Sequence, residues 1–242
     1  MKITVLDSSD AVAASLADRV ASMLRAKPDA VLGLASGRTP VDGYAELRRR
    51  HAAGATDWAR ASTFNLDEFA GVDAQHPGSF RHFMDRHLFE GVNLLPERIH
   101  FLDGVAVDLN AECARYEAAI AAAGGIDLQL LGIGSNGHIG FNEPGEDLPV
   151  RTHRVRLMES TRRDNALLFG NDPSRVPEEA LSMGIGTILS ARHIVLVATG
   201  QKKAVCIREA ASGRLTTKVP ASMLQVHADV ELLLDREAAS LI

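Results

Sequence analysis

The sequence predicts a single-domain α/β protein in three layers, a mainly parallel sheet with helices on both faces. Short apolar runs alternate with longer amphipathic stretches along the whole chain, the rhythm of repeated strand and helix units. Several of those runs are continuously apolar rather than alternating, as strands covered on both faces should be. With 46% apolar and 24% charged residues over 242 positions, one core can be filled without a disulfide or metal staple. No low-complexity linker or internal repeat divides the chain, so residues 1–242 read as one unit.

Residues 2–6, KITVL, open as a strand. Asp10 is placed to cap the helix that follows, which carries Val12, Leu16, Val20 and Leu24 on one face. Residues 30–35 form the next strand, and Pro40 takes the favoured first position of a helix running to about His51. Further strands are expected at 62–66, 99–102, 126–131, 193–198 and 230–234. Residues 110–123 are rich in helix formers and stop at Gly124 and Gly125. Another helix spans 202–211 and ends near Gly213, and the chain closes in a polar helical tail. Residues 161–177 are the least regular: a short helical pattern runs into GNDPSRVP, whose glycine and two prolines forbid a long helix. A segment of about 157–180 is read as a mobile lid. The whole is Rossmann-like in its alternation.

The net charge of -5 is small for this length and the basic residues are scattered, which leaves no footprint for nucleic acid or an anionic membrane. A small anionic ligand would need a local basic pocket. Cys113 and Cys206 lie far apart without metal-ligand spacing and read as buried free thiols in a reducing cytosol. The amino-terminal MKITVLDSSD lacks the apolar core of a signal peptide, and no run approaches the roughly 18 residues of a membrane span. A soluble, cytoplasmic protein is expected.

Ligands of open α/β sheets bind beyond the carboxyl ends of the strands, and four loops there are chemically distinctive. ASGRTP, residues 35–40, offers Gly37 for close backbone approach and a helix start with free N–H groups. It reads equally as a capped helix or as a cradle for phosphate or carboxylate, and Arg38 tips it toward the anion. NLDEF, residues 65–69, puts Asp67 and Glu68 at a strand end; such acids are more often solvated turn residues, yet one can serve as a general base. GIGSNGHIGFNEP, residues 132–144, holds His138 and Glu143 with Asn136 two positions before the imidazole. A lone loop histidine is usually structural, so the pairing carries the inference: a carboxylate can orient the ring and select its tautomer for proton transfer. TGQKKA, residues 199–204, offers Lys202 or Lys203 as a point charge to the same anion, although a lysine at a helix start is commonplace.

Gly132, Gly134 and Gly137 also spell GxGxxG after a strand. The match to a dinucleotide site is weak, because that fingerprint opens a helix whereas Gly140 and Pro144 break the segment here. His138 has no second His or Cys at ligand spacing. Neither a cofactor nor a metal is expected.

Together these pieces resemble the glucosamine-6-phosphate deaminases, also called isomerases, of the wider sugar-phosphate isomerase and 6-phosphogluconolactonase superfamily. The matching segments run nearly end to end: LASGRTP, TFNLDEF with QHPGSF, AECARYE, GIGSNGHIGFNEP, ALSMGIGTILSA, GQKKA and SMLQVH. Related lactonases typically lack FNEP after the histidine loop, so FNEP favours the deaminase branch. The resemblance implies conversion of glucosamine 6-phosphate and water to fructose 6-phosphate and ammonia, without a cofactor. It implies Asp67 as the base that moves a proton between C1 and C2 through an enolamine. It likewise implies His138 as the acid/base that opens the pyranose ring, and Glu143 as its supporting carboxylate. Ser36, Gly37, Arg38 and Thr39 match the phosphate loop, and Lys203 a further phosphate contact. Asn136 stands where many members carry Asp, so the relay keeps a hydrogen-bonding group and loses a charge.

Two other departures bear on binding. The lid position at which better-studied members carry a phosphate-binding Arg aligns with Leu167, while Arg38 stands where relatives usually have a small residue. Arg38 is therefore expected to replace that guanidinium. The basic residues of the activator site of hexameric members align with His153 and Val155, so activation by N-acetylglucosamine 6-phosphate is not expected. A galactosamine-6-phosphate deaminase is the close alternative, since a C4 epimer needs the same base and cradle. More distant alternatives are a 6-phosphogluconolactonase and a non-catalytic sugar-phosphate-binding module. Relatives occur as monomers and as larger assemblies, and a homo-oligomer stays open.

Overall fold

The computed structural model describes residues Met1–Ile242. Its strands are β1 (Lys2–Leu6), β2 (Val31–Leu34), β3 (Ser62–Asn65), β4 (Asp67–Phe69), β5 (Ile99–His100), β6 (Leu128–Leu131), β7 (His153–Arg156), β8 (Glu179–Ser182), β9 (His193–Ala198) and β10 (Val230–Asp235). Its helices are α1 (Ser9–Ala26), α2 (Val41–Ala52), α3 (Phe80–His87), α4 (Leu109–Ala122), α5 (Glu159–Asn165), α6 (Ile185–Leu189) and α7 (Ala204–Ala210). Seven strands pair in parallel in the order β1-β10-β9-β6-β2-β3-β5. Every residue of β2, β6 and β10 is buried, as in strands covered on both faces, including the polar Gln129, Glu231 and Asp235.

One apolar core lies on each face of this sheet. α1 contributes Val12, Leu16, Val20 and Leu24 to the first, α2 adds Tyr44 and Leu47, and α3 adds Phe83 and Met84. The opposite face is covered by α4, α6 and α7 through residues such as Tyr116, Ile188 and Ile207. Burying each such side chain contributes roughly 1.5–3 kcal/mol. No helix is long and apolar enough to cross a membrane, and both cysteines are buried free thiols.

Several local expectations shift. The cap of α1 is Ser8, whose hydroxyl accepts from the Ala11 N–H at 3.2 Å, while Asp10 sits in the first turn. Pro40 is the residue before α2 rather than its first. A 3-10 turn, Gln201–Lys203, precedes α7. Beyond β10 the chain makes turns instead of a helix, with the Asp235 carboxylate accepting the N–H groups of Ala238 and, from the loop after β9, Gly200. Residues 161–177 divide into α5 and two short 3-10 turns, with Gly170 in the left-handed region between them.

The sheet has an addition that the apolar pattern does not announce. β4, β8 and β7 form a separate antiparallel sheet in which Asp67 stands opposite Ser182. A third apolar cluster accompanies it, with Phe69, Phe80, Phe141 and Phe169 among its members.

From β2 the chain proceeds to β3 and β5 on one side, and from β6 to β9 and β10 on the other. The direction of winding therefore reverses between β2 and β6, which opens a crevice at their carboxyl ends.

Candidate active site

The four loops singled out in the sequence converge at that crevice. They leave β2, β3, β6 and β9 and enclose a cavity of about 730 Å³. Ser36, Gly37, Arg38, Thr39, Asp67, His138 and Lys203 all line it. Asn136 and Glu143 do not; they stand behind the imidazole.

Asp67 is delivered where the chain leaves the parallel sheet for the antiparallel one. The Leu66 N–H still bonds to the Leu34 carbonyl at 3.1 Å, and the next residue already pairs across to β8. The carboxylate is 6% exposed and accepts a hydrogen bond from the Ser36 hydroxyl at 3.1 Å. Burial pushes Asp67 up to about 7, the Ser36 donor opposes that rise, and the neighbouring charge of Glu68 adds to it. A carboxyl poised there can take and return a proton at physiological pH.

Glu68 is no solvated turn residue. It is 1% exposed, and its carboxylate accepts from the backbone N–H groups of Phe69 at 2.9 Å, Phe80 at 3.0 Å and Arg81 at 2.9 Å. Burial pushes it up to about 7, against the pull of those three donors.

The His138 ring lies flat against Gly134. A Cβ at Gly134 would sit 2.3 Å from ring Cε1 and 2.5 Å from Nδ1, so only glycine fits. Within GxGxxG it is Gly134 that makes room for the imidazole, and the segment beyond stays a loop closed by a bridge between Ile139 and Asn142 rather than opening a helix. Asn136 ties the loop together: its Oδ1 accepts from the His138 N–H at 3.2 Å and its Nδ2 donates to Glu143 Oε2 at 3.0 Å. Glu143 Oε2 lies 3.4 Å from His138 Nδ1, an ion-pair distance whose alignment leaves Nδ1 without a formed hydrogen bond. Burial pushes Glu143 up, but its contacts with His138 and Asn136 outweigh burial and hold it below the usual carboxylate range.

In the loop after β2, Gly37 takes φ 110°, a left-handed conformation that favours glycine. Lys203 donates to the Ile133 carbonyl at 2.6 Å, which pins the ammonium beneath the histidine loop. Burial lowers its pKa, and the charge of Arg38 acts in the same direction. Arg38 is exposed at the cavity, whereas Leu167 is 65% exposed and outside the lining.

The structure adds residues that sequence reasoning missed. Asp164 and Asn165 of α5 reach the cavity, and Ser135 donates to Asp164 at 3.1 Å, joining the proposed lid to the histidine loop. Phe80 and Phe141 supply an apolar wall. Ser79 accepts from the His82 N–H at 3.0 Å as the cap of α3, so the serine in QHPGSF was the available signal for that helix. No group of three or more His, Cys, Asp or Glu side chains is placed to hold a metal ion.

Residues 6–233 match the family described as glucosamine-6-phosphate isomerases/6-phosphogluconolactonase. The chain belongs to that family. Glucosamine-6-phosphate deaminase 2 of Bacillus subtilis strain 168 is 49% identical over 240 residues, covering 99% of this chain and 96% of that protein. A glucosamine-6-phosphate deaminase of Arthrobacter sp. strain FB24 is 48% identical, covering 99% and 92%. A solved structure described as a monomeric glucosamine-6-phosphate deaminase shares 43% identity and a TM-score of 0.97, covering 100% of both chains. A 6-phosphogluconolactonase from Trypanosoma cruzi, at 20% identity and a TM-score of 0.78 over 99% of this chain and 96% of its own, shares the fold of the family.

Proposed function

We propose that this protein is a glucosamine-6-phosphate deaminase, converting glucosamine 6-phosphate and water to fructose 6-phosphate and ammonia. One observation carries the reading: a buried carboxyl near neutrality and a carboxylate-backed imidazole share one cavity with a basic, glycine-containing helix start. An anionic substrate held at Ser36–Thr39 and Lys203 would have its distant carbons fixed between Asp67 and His138, so that phosphate binding energy positions the reacting end.

The steps are proton transfers. His138 takes the anomeric hydroxyl proton and returns one to the ring oxygen, opening the pyranose, with Glu143 stabilising the imidazolium and Asn136 orienting both. Asp67 then removes the C2 proton while the C1 oxygen gains the proton that the C2 ammonium gives up, forming an enolamine, and Asp67 returns its proton to C1 to leave a protonated ketimine. Water hydrolyses the ketimine, releasing ammonia and leaving the ketose phosphate. General acid–base catalysis of this kind contributes about 10²–10⁴-fold per group.

Every residue in this scheme comes from one chain, so the cavity is complete in a monomer. A sugar-phosphate reaction belongs in the cytoplasm, and the buried free thiols of Cys113 and Cys206 suit that compartment. The test is ammonia release from glucosamine 6-phosphate and from galactosamine 6-phosphate, beside hydrolysis of 6-phosphogluconolactone. Ammonia from the first substrate in preference to the second supports the assignment. Lactone hydrolysis without ammonia from either, or binding without turnover, would overturn it.

A further inference from the structure

Glu68 follows Asp67 directly, is as deeply buried, and enters no step of the proposed reaction. Its two oxygens accept three backbone N–H groups, one from its own strand and two from the start of α3. Every partner is a donor, the set that an ionised carboxylate satisfies and a carboxylic acid does not. The Phe80 and Arg81 N–H groups are among the free donors of a helix's first turn, where the helix dipole also favours a negative charge.

The consequence reaches the cavity through Phe80. While its N–H is held by Glu68, its ring lines the cavity, with its centroid 4.7 Å from that of Phe69 and 5.7 Å from that of Phe141. The Phe141 ring in turn meets the His138 ring edge-on at 6.5 Å. These rings form the apolar side of the chamber in which Asp67 sits.

We propose that Glu68 is the positioning residue of the catalytic base: by holding the start of α3 against β4 it fixes the Phe80 wall that shields Asp67, and in its ionised form it places a negative charge beside Asp67 without touching substrate. This rests on the reading of Asp67 as the base. Other ionisable groups face Asp67 as well. His138, Arg38, Lys203 and Asp164 share the cavity with it. Tyr116 of α4 approaches from the core, but its hydroxyl is committed to the Asn65 carbonyl at 2.7 Å and the His100 carbonyl at 3.2 Å. Arg81 turns its guanidinium to Asp85 at 2.9 Å.

The test is kcat/KM against pH, read by ammonia release from glucosamine 6-phosphate, for the parent, Glu68→Gln and Glu68→Asp. Substrate ionisation is common to all three, so differences belong to the protein. Glu68→Gln keeps the reach and drops the charge; its acidic limb is expected to move to lower pH by roughly half a unit or more, with kcat several-fold lower. Glu68→Asp keeps the charge and withdraws it from α3; it should lose kcat several-fold, with a smaller movement of the limb. A limb that stays in place in Glu68→Gln, with or without a loss of kcat, reduces Glu68 to a structural cap and overturns the proposal. Should Glu68→Gln not fold, Glu68→Asp decides alone, and parental kcat with a parental limb overturns it. Asp67→Asn separates the two readings. Turnover retained there removes the base assignment whatever Glu68 does, whereas turnover lost there with an unmoved limb in Glu68→Gln leaves the base and removes the positioning role.

Discussion

The Ser36 hydroxyl donates to Asp67 Oδ1 at 3.1 Å, so the loop that ends β2 and the loop that ends β3 are joined by a single hydrogen bond. That donor favours the ionised carboxylate and opposes the burial that pushes Asp67 up to about 7. In Ser36→Ala the opposing influence is gone, and the carboxyl rises further. A general base works only when ionised, so the acidic limb of kcat/KM should move to higher pH. Activity near pH 6.5 should then fall several-fold more than activity near pH 8.5. The pH–rate profile reads this directly, and an unmoved limb would mean that the bond does not govern the base.

Asp67 should also burden the fold. Its carboxyl titrates at about 7 in the folded protein against an ordinary value of 3.8, so between those values the folded state binds the extra proton and stability declines as pH rises. Asp67→Asn cannot ionise. It should be more stable than the parent above pH 7, by up to about 4 kcal/mol, with the advantage closing as pH falls toward 4. Thermal unfolding followed across that range would show two curves that converge on acidification. Parallel curves would contradict a buried, raised carboxyl, and turnover in the variant would contradict its role.

The parts of this architecture that were legible in the sequence are those with local causes. β2, β6 and β9 show themselves as apolar runs because both of their faces are buried. The converging loops follow from strand ends, which groups the Gly37–Arg38 loop, Asp67, His138 and the Lys202–Lys203 pair, whereas Ser36 and the choice of Lys203 rest on the family resemblance. What stayed hidden depends on partners far along the chain. β7, with the sequence HRVR, buries none of its residues fully and gains its identity only by pairing with β8. Asp67 meets Ser182 across that same sheet. Glu68 looked like a solvated acid because the N–H groups that hold it belong to residues 80 and 81, on a helix of eight residues whose polar composition masks it. Asp10 and Ser8 illustrate a smaller limit: both can cap a helix, and only the backbone path shows which of them does.

Gly134→Ala tests the imidazole's seat. The new methyl would lie 2.3–2.5 Å from three atoms of the His138 ring, closer than any real contact, so the ring must swing away from Glu143 or the loop must move. A swing of the ring leaves Ser36–Thr39 in place, and the Ile133 carbonyl that holds Lys203 moves only if the loop itself shifts. The expected result is a loss of about 10²-fold in kcat, the lower end of what one acid–base group supplies, with KM nearly unchanged. Parental kcat would show that the ring is not held in its catalytic place by Gly134. A collapse of both parameters together with the melting temperature would point to the fold instead.

Arg38 carries the remaining question of how the phosphate is neutralised. Arg38 lines the cavity, and Leu167 faces solvent in the turn Ala166–Phe169. Charge-assisted hydrogen bonds to phosphate are worth about 1.5–3 kcal/mol, discounted here because Arg38 is exposed to solvent and salt. Arg38→Ala should therefore raise KM about tenfold with little change in kcat, and the penalty should shrink in high salt. An unchanged KM would end the idea that Arg38 replaces the lid arginine. The double variant Arg38→Ala with Leu167→Arg asks whether residues 157–180 close over the substrate. From its outward position a side chain at 167 reaches the phosphate only if the turn swings inward. Recovery of KM in the double variant therefore requires closure, and a KM that stays at the single-variant value leaves the segment as a fixed wall.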